Sequence, residues 1–224
     1  MQFSPHVLAL VSFLVVGCSD EQQPSIPESP ASGVVERDGN IYYIDDSGKE
    51  ITITSLGIDF QPALSTDEKY VTFGRDNYEV MIEDMFGPPY PSRQIWKASV
   101  DASDAPSLVA GYSLPANGEG SGYRYLSRPA FSNDNSEIYF LGASWATSSA
   151  LLAVKLSDLS TRFVTSSNYL EIIRSGSWAG DIIVQQHKYF IGGGSYDWYW
   201  IISPDGETRG TIGESTDYFR ENSL

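Results

Sequence analysis

Residues 61–74 read QPALSTDEKYVTFG, and residues 128–141 read RPAFSNDNSEIYFL. Both run Pro, Ala, a bulky apolar residue, Ser, any residue, Asp, three residues, a β-branched residue, one residue, Phe. Pro62, Ser65, Asp67, Val71 and Phe73 of the first copy answer to Pro129, Ser132, Asp134, Ile138 and Phe140 of the second. A chain that writes one turn and one strand twice is repeating a supersecondary unit. A unit too small to bury its own apolar face must stack on its copies. No other feature restricts the fold as much.

The motif has a physical meaning residue by residue. Ser65 and Asp67, like Ser132 and Asp134, can bond nearby backbone amides and fix a turn before a strand. Pro62 and Pro129 carry no N–H and suit the start of an innermost strand. Val71 and Phe73 sit two apart, as do Ile138 and Phe140, so each pair faces one way, into the packing between units.

Around the two copies, helical periodicity is almost absent. Short β-rich runs recur instead: IYYI at 41–44, KYVTF at 69–73, RQIWKASV at 93–100, EIYFL at 137–141, LLAVKL at 151–156, DIIVQ at 181–185 and WYWII at 198–202. Asp46-Ser47-Gly48, Asp134-Asn135, Gly192-Gly193-Gly194 and Pro204-Asp205-Gly206 divide them. Many short strands with turn residues between them define an all-β chain. Each signature leads into a second hairpin, 95–110 after the first and 151–165 after the second. A degenerate third copy, SGSWAGDIIV at 175–184, leads into 198–212, and a hairpin at 40–54 opens the series. Its Asp-Ser-Gly-Lys turn matches Pro-Asp-Gly-Glu at 204–207. The second and third signatures are roughly 44 residues apart, and a four-stranded unit repeating at that period is a propeller blade. The first gap is longer because GRDNYEVMIEDMFGPPYPSR, 74–93, reads as an inserted loop.

The pattern Pro-x-φ-Ser-x-Asp-x-x-x-φ-x-Phe, followed by a strand with Trp96, resembles the β-propeller repeat of the TolB type across residues 40–212. The resemblance implies an all-β, propeller-like fold of about four four-stranded blades and assigns no activity. Three full units and a leading half do not close a ring by themselves. The expectation is a four-bladed, imperfect ring or an open arc that covers its edges in another way.

The first residues, MQFSPHVLALVSFLVVG, hold an apolar run too short to span a bilayer and of the length of a signal-peptide core. Val15-Val16-Gly17-Cys18 resembles the lipobox of bacterial lipoproteins. That likeness implies cleavage after residue 17, a lipidated Cys18 and, with Ser19 following, retention at the outer membrane facing the periplasm. Residues 18–33, rich in Ser, Pro, Glu and Gln, form a tether that cannot bury a core. Residues 34–224 are the propeller-like domain. Cys18 is the one cysteine, so no disulfide, cysteine metal site or thiol nucleophile is available to the domain.

Asp and Glu number 29 against 14 Lys and Arg, for a net charge of −15. Nucleic acid and bare anionic membrane are excluded as partners by this charge, and the membrane is reached through the lipid alone. His187 has no G-x-S-x-G elbow to serve, although Ser195 and Ser177 are near it in sequence. A calcium site at Asp45-Asp46, Glu83-Asp84 or Asp134 lacks the spacing of a calcium loop, and no cofactor is expected. Tyr196, Trp198 and Trp200 alternate onto one strand face, as core or as a stacking surface. Tyr78, Met81, Met85, Phe86 and Tyr90 of the 74–93 segment are the binding candidates, because so much apolar surface in one loop must pack on something. The function these features favour is a non-enzymatic platform for an envelope protein or periplasmic ligand. The rivals are a carbohydrate-active propeller and a degenerate scaffolding propeller.

Overall fold

A computed structural model describes residues 33–83, 87–112, 122–123, 125–145 and 148–217. They form fifteen strands in four antiparallel sheets. The first sheet holds β1 (Gly33–Arg37), β2 (Asn40–Ile44) and β3 (Glu50–Thr52). The second holds β4 (Asp59–Leu64), β5 (Tyr70–Ile82), β6 (Tyr90–Ser99) and β7 (Ser107–Ala110). The third holds β8 (Ser127–Phe131), β9 (Glu137–Trp145), β10 (Ser148–Lys155) and β11 (Thr161–Ser166). The fourth holds β12 (Tyr169–Ile172), β13 (Ile182–Tyr189), β14 (Ser195–Ile202) and β15 (Thr208–Gly213). In every sheet spatial order follows chain order, so each is a meander, the propeller-blade arrangement.

The two signatures fold alike. Ser65 donates through its hydroxyl to Asp67 at 2.7 Å and accepts from the Tyr70 amide at 2.9 Å. Ser132 donates to Asp134 at 2.6 Å and accepts from the Glu137 amide at 3.0 Å. Glu68 (φ 56°) and Asn135 (φ 58°) take the left-handed corner of the two turns. Chiefly the hydrogen bond from the Ser hydroxyl holds each Asp carboxyl below its ordinary range. Beyond the turn, Phe73 (0% exposed) and Phe140 (1%) occupy equivalent buried places.

The prolines sit differently from expectation. Pro62 and Pro129 lie inside β4 and β8, at a bulge where pairing with the next strand shifts register. The bulge residues before them, Gln61 (φ 51°) and Arg128 (φ 52°), are left-handed. Each has its amide taken by the preceding blade: Gln61 N donates to Glu36 Oε2 at 3.0 Å, and Arg128 N donates to Gln61 Oε1 at 2.8 Å. The proline therefore tolerates a break in the ladder, and the bulge amide that the break frees is paired across the blades.

The first sheet departs from the four-stranded expectation. Its β1–β2 turn abuts the start of β4, with Asp59 N donating to Gly39 O at 2.8 Å. So β1 ends where β4 begins and runs antiparallel to it, the direction of a second strand. The turn after β2 agrees, since Asp45 N–Lys49 O and Gly48 N–Asp45 O repeat as Ser203 N–Glu207 O and Gly206 N–Ser203 O in the last sheet. Among the described residues this blade has no innermost strand.

The blades stack as an open arc. One cluster joins the first and second sheets through Ile41, Ile53, Val71 and Phe73. Another joins the second and third through Ile95, Val109, Phe131 and Phe140. The third and fourth meet through Tyr139, Leu151, Leu170, Ile182 and Val184. A fourth cluster belongs to the last sheet alone: Trp178, in the 3-10 turn Gly176–Trp178, covers Ile173, Ile183 and Ile201. At the other end Arg37 lies 4.3 Å from the Tyr42 ring and pairs with Glu50. Both ends of the arc are thus capped by the chain itself, as terminal repeats must be.

Candidate functional site

The arc has two unlike ends, defined by which connections emerge there. One end carries the turns 65–69, 132–136 and 173–181 and is locked side chain to backbone. Thr66 Oγ1 donates to Asn133 O at 2.9 Å, and Asn135 Oδ1 accepts from Thr66 N at 2.9 Å. Asn133 Nδ2 then donates to Ile173 O at 3.1 Å, while Arg174 donates to Asn133 Oδ1 and to Phe131 O at 3.0 and 2.9 Å. Three blades are stapled in series, which suits a structural face.

The opposite end carries hairpins that outrun their neighbours. The 74–93 segment is not a loop. It continues β5 to Ile82 and starts β6 at Tyr90, paired through Asn77↔Ser92, Met81↔Pro91 and Ile82↔Tyr90 with a bulge between. Its root is anchored twice. Arg75 makes a two-toothed ion pair with buried Asp59, at 2.5 and 2.9 Å, and stacks 4.5 Å from the Trp96 ring. Arg93 pairs with Asp76 at 3.1 Å and sits between Phe60 (4.5 Å) and Tyr125 (3.6 Å). Gly74 makes room for that stack, since a Cβ there would come within 2.3 Å of the Phe60 ring. Of the binding candidates, Tyr78 and Met81 are exposed on this hairpin. Tyr90 is half-buried, edge-on to Tyr125 at 6.0 Å. Met85 and Phe86 lie outside the described residues, as does Cys18.

The tip of a second projecting hairpin, β13–β14, was not among the candidates. Tyr189, Phe190 and Ile191 are all exposed at its tip, just before Gly192-Gly193-Gly194. The sequence signal was present in KYFIGGG: a strand whose apolar residues continue into its turn. Phe190, Tyr196, Trp198 and Trp200 form a row with successive centroids 4.6, 6.0 and 6.4 Å apart. Trp200 packs on the core, whereas Tyr196 and Trp198 stay half-buried. Across the strand pair His187 Nδ1 meets Asp197 Oδ1 at 2.9 Å, and the imidazole lies edge-on to Tyr189 at 5.0 Å. Ser195 stands opposite Tyr189, and Ser177 lies in the turn at the other end of the sheet. Neither is brought to His187 as a nucleophile.

Beside this hairpin is a cleft of about 440 Å³, lined by Ser148, Thr165, Ser166, Asn168, Gln186 and Lys188 among others. Among the described residues no three His, Cys, Asp or Glu side chains gather as a metal site. Asp45 and Asp134 spend their oxygens on their own turns, accepting from Ser47 and Lys49 and from Ser132 and Ser136.

No family model matches the chain, and no curated protein is similar to it. Solved structures are. The β-propeller domain of the Trilobed protease from Pyrococcus furiosus superposes with a TM-score of 0.51 at 12% identity, over 78% of this chain and 49% of that one. An oligogalacturonate lyase in complex with manganese superposes with a TM-score of 0.52 at 11% identity, over 77% and 50%. TolB from Acinetobacter baumannii is also similar at 16% identity over 79% and 53%, with a TM-score of 0.29. The fold is that of a β-propeller. The chain spans about half the length of these three chains.

Proposed function

We propose that this protein is a lipid-anchored propeller of a bacterial cell envelope, held at the outer membrane facing the periplasm, and that it acts without catalysis as a platform for another envelope protein. The observation that carries the reading is the inequality of the two ends. One is closed by turn-to-turn hydrogen bonds. The other raises two hairpins whose exposed apolar side chains, Tyr78, Met81, Tyr189, Phe190 and Ile191, have no task in the core. Rigid blades presenting variable connections are a common way to build a binding surface. In this reading the lipobox-like Gly17-Cys18 is the anchor and residues 18–33 are the stalk that holds the surface off the membrane.

One experiment tests both parts. A photoreactive residue replaces Tyr78, Met81 or Phe190 on the hairpin end, or Glu68, Asn135 or Asp205 on the turn end, in cells making the full chain. Protein cross-links are expected from the first group and not from the second. The same cells with Cys18→Ala should release the protein from the membrane pellet and lose acyl label. Cross-links confined to the turn end, or Cys18→Ala protein still pelleting, contradict the reading. A second reading, a glycan-binding propeller, draws on the half-buried row of Tyr196, Trp198 and Trp200 and expects no protein cross-link at either end.

A further inference from the structure

We propose that the hairpin end captures an extended peptide segment of its protein partner as an added strand on the inner edge of β13, at His187. The proposal rests on the platform reading and names the chemistry of the partner.

It starts from strand alternation. Gln185 turns its main chain toward β12: its carbonyl accepts from Asn168 N at 2.9 Å, and its amide donates to Ser167 Oγ at 3.0 Å. In a β-strand, residues two apart present N–H and C=O to the same side. The main chain of His187 therefore points to the β12 side as well. But β12 pairs only from Tyr169↔Gln185 to Ile172↔Ile182, and β13 runs on to Tyr189. Among the described residues the His187 amide and carbonyl have no partner.

Among the described residues, that edge gives onto a cleft. The 440 Å³ cleft is bordered by Gln185, Gln186, His187 and Lys188 on one side, and by Ser148, Thr165 and Ser166 of the preceding blade on the other. Ser167 Oγ, taking the Gln185 amide, ends the native ladder with a side chain. An extended peptide can resume the ladder at the next position. The edge is also stiff: the side chains of His187 and Asp197 tie β13 to β14, and Gln186 Nε2 donates to Thr165 Oγ1 at 3.3 Å. Between Ile182 and Tyr189 it carries neither proline nor bulge. A ligand that meets a strand's main-chain groups at strand spacing is a polypeptide, and exposed Tyr189 and Phe190 supply apolar contact for its side chains.

The probe is a phage library of random linear peptides panned on the full chain. A selected peptide is then synthesised and titrated by fluorescence anisotropy. We expect enrichment of sequences without a central proline, and N-methylation at alternate peptide residues should abolish binding. His187→Pro, which removes the waiting donor, should weaken binding by about tenfold or more. Should His187→Pro lower the melting temperature, amide exchange in the unaltered protein decides: the His187 amide is expected to be slowed by the peptide. No enriched peptide, equal affinity for His187→Pro in a folded variant, or an unslowed His187 amide overturns the proposal. A hairpin-end cross-link obtained together with any of these results would leave the platform standing and remove only strand addition.

Discussion

Phe73→Ala and Phe140→Ala should each lower the stability of the fold by about 3–5 kcal/mol, the ordinary cost of truncating a fully buried aromatic. The two values should agree within the error of urea denaturation, because the side chains are equivalent. Phe73 lies between the first and second blades and Phe140 between the second and third, one position in successive repeats. Asp67→Ala and Asp134→Ala should cost only a small fraction of that. Their carboxylates orient turns that also hold through main-chain bonds, Ser65 N–Tyr70 O and Ser132 N–Glu137 O. The pH dependence follows the same geometry. A carboxyl whose folded pKa is depressed stabilises the fold above its unfolded pKa, and that contribution fades as pH falls through the folded value. Wild type should thus lose a little stability at acid pH that the two Asp variants do not lose. Unequal Phe effects, or Asp effects as large as theirs, would break the equivalence of the repeats.

Asp59→Ala should be as damaging, at about 3–5 kcal/mol, for a different reason. Asp59 is wholly buried and Arg75 nearly so, with side-chain exposures of 0% and 10%. Removing the carboxylate strands a guanidinium between Phe73 and Trp96, where water cannot repair the loss. Replacing both partners by apolar residues of similar size, Asp59→Leu with Arg75→Met, should restore most of the stability, since no unpaired charge is left. Equilibrium denaturation of the two variants reads this directly. A mild Asp59→Ala together with a worse double variant would mean that the pair is not desolvated. The pair sits where β5 leaves β4 behind, at the foot of the projecting hairpin.

Much of this fold was legible in the sequence. The Pro-to-Phe signature located both inner hairpins, its second strands and the faces of Phe73 and Phe140. The likeness of Asp-Ser-Gly-Lys to Pro-Asp-Gly-Glu fixed the place of the opening hairpin. What stayed hidden was non-local. The left-handed bulges at Gln61 and Arg128 depend on acceptors from the preceding blade, which no local pattern announces. Strand β12 was unread because Tyr169 and Leu170 stand where the other blades have the bulge residue and the proline, and β1 because Val34 and Val35 adjoin the polar tether. The 74–93 segment looked like a loop because Pro88, Pro89 and Pro91 crowd its tip, yet the strands flanking them pair almost to that tip. Of the binding candidates, Tyr78 and Met81 are exposed on the hairpin end. Tyr189 to Ile191 and the His187–Asp197 contact were passed over, since a lone histidine and a glycine-rich turn carry little signal until the register sets them side by side.

The arc is open, with blades held to their sequence neighbours. Chemical cross-linking between engineered cysteines tests this directly, in the full chain with Cys18→Ser and a short bismaleimide. Cysteines replacing Thr66 and Asn133, which meet across the second and third blades, should be joined within one chain. Cysteines replacing Thr52 and Gln185, on the outer faces of the first and last sheets, should remain unlinked. Efficient linkage of the second pair within a single chain would show a closed ring and contradict the open arc.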